Sequence, residues 1–110
     1  MLLAAVPAFA QSMLGMAMTG APEANEPAST KAYRDAMTKM DQGMNMPYSG
    51  DPDRDFVAGM IPHHQGAVDM ARVELQYGKD PALKKLARDI IASQRKEIAF
   101  MRQWQARHAP

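Results

Sequence analysis

The sequence predicts an all-α protein, an up-down-up antiparallel helical bundle of ferritin-like kind, completed by dimerisation. Three observations lead there. Apolar residues recur at three- and four-residue intervals along three stretches of the 110-residue chain, the spacing of one helical face. Two of those stretches open on Asp-Pro, at Asp51-Pro52 and Asp80-Pro81, where a carboxylate can cap and the proline is already set for the first helical turn. No stretch alternates with the period of two that marks a strand.

The elements follow in order. Ser29 or Thr30 caps the first helix, which runs to about Met44 and carries Tyr33, Met37, Met40 and Met44 as one apolar stripe. Asn45 to Gly50 reads as a turn. The second helix starts at Asp51-Pro52, with Asp53 and Asp55 complementing the dipole of its first turn, and closes at Gly78. Leu83, Leu86, Ala87, Ile90, Ile91, Gln94, Ile98 and Met101 trace the apolar face of the third, which starts at Asp80-Pro81 and ends near Arg107. Short connections make sequential helices antiparallel neighbours. A single domain of this size has a thin core, so self-association through the Met-rich stripe is expected.

Ahead of the helical domain at 29–108, residues 1–10 end in Ala8-Phe9-Ala10, the small-x-small pattern of a signal peptidase site. They read as an export signal without its basic leading region, as a truncated signal would be, and they predict a periplasmic or otherwise exported protein. Residues 11–28, rich in Gly, Pro, Ser and Ala and holding Met13, Met16 and Met18, read as a flexible linker. The apolar decapeptide is too short to span a bilayer, which takes about 20 apolar residues.

Composition narrows the function. Thirteen basic and twelve acidic side chains nearly cancel, and no basic stripe stands apart, so nucleic acid is not an expected partner. There is no cysteine, and the 11 methionines are the soft ligands that remain. Thioether sulfur, unlike thiol, is not lost to disulfide formation in an oxidising compartment. Methionine is also an adaptable core filler, so abundance alone does not separate the two uses.

The chemistry concentrates between Phe56 and Ala71, F-V-A-G-M-I-P-H-H-Q-G-A-V-D-M-A, which holds two of the three histidines. Imidazole suits copper, zinc and iron, and thioether selects soft ions, so the combination favours Cu(I) over Cu(II). His63 and His64 point about 100° apart on a helix, whereas Met60 can share a face with either. Pro62 removes a backbone donor and predicts a kink just upstream of His63. Folding the second and third helices about Gly78 sets His64 level with Gln94 and Met60 level with Ile98, and brings Gln94, Glu97 and Met101 to the same height. The same reasoning across the turn near Pro47 to Gly50 sets Met40 near Ala58 and Met37 near Ile61, with Met44 and Met46 nearer the mouth. The candidate metal ligands are therefore His63, His64, Met60, Met101, Met40 and Met44. Glu97 and Gln94 are candidates to orient an imidazole from behind.

The same block, with Y-G-K-D-P after it and I-I-A-S-Q-R-K-E-I-A-F-M-R-Q-W from Ile90 to Trp104, resembles the family called domain of unknown function 305. The likeness covers about Asp51 to Arg107, and its matching positions are Met60, His63, His64, Met70, Gln94, Glu97 and Met101. The resemblance implies a ferritin-like helical bundle, usually exported, with some members implicated in copper binding and tolerance. The expected function is that of an exported copper-binding protein, not an enzyme, which sequesters copper or hands it on to a transfer partner. The alternative is a metal-free helical interaction module that uses a Met-rich face. A di-iron oxidase is disfavoured, because neither Glu74 nor Glu97 is followed by His three residues later.

Overall fold

A computed structural model of the chain describes residues 25–109, so the export signal at 1–10 and most of the linker, Met13, Met16 and Met18 included, lie outside the described residues. Three helices account for nearly all of the rest: α1 (Ala28–Met44), α2 (Pro52–Tyr77) and α3 (Pro81–Arg107). Among the described residues there is no strand. The all-α bundle expected from the periodicity is the fold.

The two Asp-Pro starts behave as their chemistry requires. Asp51 accepts from the amides of Asp53 and Arg54, and Asp80 accepts from the amide of Leu83, which satisfies donors that no helical turn can reach. The expected cap at Ser29 or Thr30 is not used. Helix α1 already begins at Ala28, its preceding residue is Pro27, and no side chain caps it. Proline holds its own φ near the helical value and can lead into a turn without a capping side chain; the Lys31 amide donates to the Pro27 carbonyl.

Helix α2 packs against both neighbours, while α1 and α3 do not pack on each other. Two faces of α2 make this possible. Val57, His64, Val68 and Ala71 are buried toward α3, where Val57 joins Ile98 and Met101 in a cluster flanked by Met60, Ile61 and Trp104. Gly66 and Val73, seven residues apart on the other face, are buried toward α1 and its Ala36. Helix α2 runs on through Pro62 without a break.

The seam with α1 depends on missing side chains. A Cβ at Gly43 would stand 2.7 Å from the Pro62 Cβ, and one at Gly66 would stand 2.5 Å from the Met40 sulfur. This contact corrects the expected register: Met40 lies on Gly66, not near Ala58. The reason is the connection. Asn45 makes a three-residue turn in which the Met46 amide donates to the Met44 carbonyl at 3.0 Å, and the connection then climbs back along α2 with Met46 over Gly59. Gly50, at φ +88, then reverses the chain in a conformation that favours glycine.

Asp55 anchors the end of that climb. Its carboxylate accepts from the Ser49 amide and hydroxyl, both at 2.8 Å, and from the Gly50 amide at 3.3 Å. The Ser49 amide, then its hydroxyl, hold the Asp55 carboxyl below the usual aspartate range. At the far end the Arg54 guanidinium donates to the His108 carbonyl at 3.0 Å, and the His108 ring stacks on Trp104 at 4.2 Å. These contacts tie the last turn of α3 to the first turn of α2.

Two expectations test this packing. Gly43→Ala meets the rigid Pro62 ring, so it lowers thermal stability by about 1 kcal/mol even though alanine is the better helix former; Gly59→Ala, whose Cβ finds only the Met46 methyl at 3.5 Å, raises it by about 0.5–1 kcal/mol. Equal shifts in the two melting curves would refute the close approach of α1. Because the Asp55 pKa is depressed in the folded chain, its contribution is complete above the ordinary aspartate pKa and is lost as pH falls through the lowered one. Asp55→Ala therefore lowers the melting temperature at pH 7, and the difference from the unmutated chain shrinks as pH falls below the ordinary aspartate range.

Candidate metal centre

Helix α2 brings His64 to α3 because the stripe Val57, His64, Val68, Ala71 must be buried. His64 is only 8% exposed, the one buried polar side chain among the described residues. Its Nε2 meets Glu97 Oε2 across the helix pair. Its Nδ1 is buried and has no hydrogen-bond partner. A buried nitrogen without a partner costs about 1–3 kcal/mol, so a site that retains one calls for something to fill it.

A cleft of about 460 Å³ opens beside this ring, lined by Met60 and His64 from α2 and by Glu97 and Met101 from α3. Phe56, Phe100 and Lys96 complete its walls. The walls are overwhelmingly apolar, so the imidazole and the two thioethers are nearly all the soft donor capacity there. Glu97 stays mostly exposed at the mouth. If its carboxylate accepts from Nε2–H, the lone pair falls on Nδ1, the nitrogen without a partner.

The remaining sequence candidates are placed elsewhere. His63 is exposed, its ring edge-on to His64 with centroids 6.2 Å apart. Met40 is turned to the other side of α2, over Gly66. Met44 is 42% exposed in the last turn of α1. Gln94 is half-buried and does not line the cleft. Met70 lines a second, apolar cleft of about 320 Å³ between Tyr33 of α1 and Leu83, Leu86 and Ile90 of α3. Sequence spacing missed Phe56 and Phe100 as wall residues. Phe56 stands four residues before Met60 and eight before His64, a signal that could have found it; Phe100 had none, since it lies off the apolar stripe of α3.

The donor set has a definite character. Among the described residues no three His, Cys, Asp or Glu side chains converge, so no cage of hard or borderline ligands of the zinc or di-iron type is assembled there. One imidazole with two thioethers is instead a soft set.

These residues fall inside a known family. A family model described as domain of unknown function (DUF305) matches residues 6–105, and the chain belongs to that family. The chain is also 48% identical over 49 residues to an uncharacterized protein of Acanthamoeba polyphaga mimivirus, a match covering 44% of this chain and 32% of the viral protein. The chain thus spans about a third of that relative's length.

The orphan nitrogen separates a structural histidine from a ligand. His64→Leu removes the buried Nδ1 and leaves Glu97 to water, so the metal-free protein keeps its stability or gains up to about 1 kcal/mol. A loss of more than about 2 kcal/mol in denaturant melts would make His64 a structural residue held by Glu97.

Proposed function

We infer that this chain is an exported copper-binding protein that takes Cu(I) in the cleft between α2 and α3. The observation that supports this reading best is a buried imidazole with an unpartnered Nδ1 sharing one apolar cleft with two thioethers. His64, Met60 and Met101 would hold the ion, a three-donor soft set matched to Cu(I), which accepts low coordination, rather than to zinc, magnesium or calcium. Glu97 would orient the imidazole through Nε2, as carboxylates hydrogen-bonded to the far nitrogen of a metal-bound histidine do. His63, exposed beside the cleft, suits capture or release of the ion better than holding it.

In the single chain the cleft is open, which favours exchange of the ion over permanent storage. The flexible thioethers can leave the ion one at a time, which suits a protein that buffers copper or passes it to a partner. No residue of the cleft combines a nucleophile with a base, so the reading is one of binding without catalysis.

The alternative is a metal-free interaction module. It draws support from the breadth of exposed apolar surface on the same side of α2 and α3. The two readings part on one measurement, Cu(I) affinity in competition with a chromophoric chelator.

The purified chain is expected to take up one Cu(I) in that competition. His64→Ala, and separately the double variant Met60→Leu with Met101→Leu, should weaken binding by at least about 100-fold, and Glu97→Gln by about 10–100-fold. His63→Ala should weaken it by less than about tenfold. Unaltered affinity in the first two variants would refute the site, and absence of any Cu(I) uptake would favour the interaction module.

A further inference from the structure

Apart from Ile98 and Met101, the buried apolar side chains of this bundle are small, while several large ones face out. The largest fully buried side chain is Val68, whereas Phe56 and Phe100 are 62% and 63% exposed and Leu83 and Leu86 are 51% and 52% exposed. These residues are not scattered. Phe56 and Phe100 border the His64 cleft, and Leu83 and Leu86 border the neighbouring cleft with Met70. Both clefts open between α2 and α3, and the second is bordered also by Tyr33 of α1. One continuous apolar face therefore runs along the α2–α3 pair.

Its size suits a stable interface. From Phe56 to Glu74 the face extends about 27 Å at 1.5 Å per residue, and two packed helices make it about 20 Å wide. That is a footprint of roughly 550 Å² before side-chain relief is counted, beside about 800 Å² of accessible surface per partner in a standard interface. Solitary surface hydrophobics need no explanation; a contiguous patch of this extent is at the upper end of what a single chain exposes, and such patches are often functional.

Its charge points to the occupant. The only charged side chains lining the two clefts are Glu74, Lys96 and Glu97, and Glu97 already faces His64. A lipid surface or an anionic partner would call for a rim of Lys and Arg, and this face has one lysine. Nothing on it repels a copy of itself, since the charges are few and of both signs.

We propose that a second copy of this chain covers this face, so that α2 and α3 of the two copies form one four-helix bundle with each α1 on the outside. The contact is isologous, each copy offering the same patch, and it closes instead of propagating. Pairing buries the exposed Phe and Leu side chains and supplies the thick core that three helices lack. It also covers the His64 cleft, so that, if the copper reading above holds, the ion is sealed in the pair and released as the copies separate.

Sedimentation equilibrium of the copper-free full-length chain tests the pairing by itself. Twice the 12.1 kDa chain mass is expected at high concentration, falling toward the single mass on dilution. Leu86→Lys and Phe100→Lys alter side chains already half exposed, so the helical circular dichroism is retained while the dissociation constant rises about tenfold or more. Ala92→Lys, outside both clefts and exposed, leaves the association unchanged. A single-chain mass for the unmutated protein up to about 1 mM overturns the proposal, whether the face is then bare or covered by residues 1–24 of its own chain. So does association that survives both lysine variants, or binding of the unmutated chain to phosphatidylglycerol vesicles as a monomer. Because no copper is present, none of these outcomes depends on the metal site.

Discussion

Among the described residues every helix–helix contact passes through α2, and that constraint shapes the rest. A helix wedged between two others must present two apolar faces, and α2 does so with side chains small enough for close approach: Gly66 and Val73 toward α1, Val68 and Ala71 toward α3. Because α1 and α3 do not pack on each other, the three described helices of the bundle lie in a row with α2 in the middle. A row leaves one flank open, and the clefts lie there. His64 is buried at the edge of that flank because it occupies a position on the α3-facing stripe where an apolar residue would ordinarily sit.

The burial of His64 has consequences that its neighbours' exposure sharpens. Its Nε2 reaches Glu97, but its Nδ1 meets nothing. A fully satisfied structural histidine would use both nitrogens, since an unpaired polar atom in an apolar setting is costly. The thioethers of Met60 and Met101 line the same cleft as this ring. The proposed metal capture and the proposed self-association both draw on this flank of α2 and α3, not on the Met-rich stripe of α1 that the sequence offered for self-association.

Most of the fold was legible before any coordinates. Asp51-Pro52 and Asp80-Pro81 marked two helix starts that are used as caps, and Gly78 marked the end of α2. The α2–α3 level was readable as well, because three residues between two long helices leave little freedom: Met60 and His64 stand at the height of Glu97 and Met101. The α1–α2 level was not, because seven residues can either turn or climb. The pairing of Gly43 with Pro62 and of Gly66 with Met40 chose the climb, and it carried Met40 away from the histidines. The cap of α1 was misread for a local reason, since Ser29 and Thr30 look like caps only if Pro27 is ignored.

What the sequence determined by itself is periodicity, punctuation and inventory: three amphipathic stretches, their stops, and a chain with methionine and histidine but no cysteine. These are properties of neighbours along the chain, and a 3.6-residue repeat reports them without reference to any partner. Only the tertiary structure decided which of two adjacent histidines is buried, which thioethers it meets, and which face stays open. Those outcomes rest on how α2 and α3 meet, while the level of α1 rests on Gly43 and Gly66, whose lack of a side chain has meaning only opposite Pro62 and Met40.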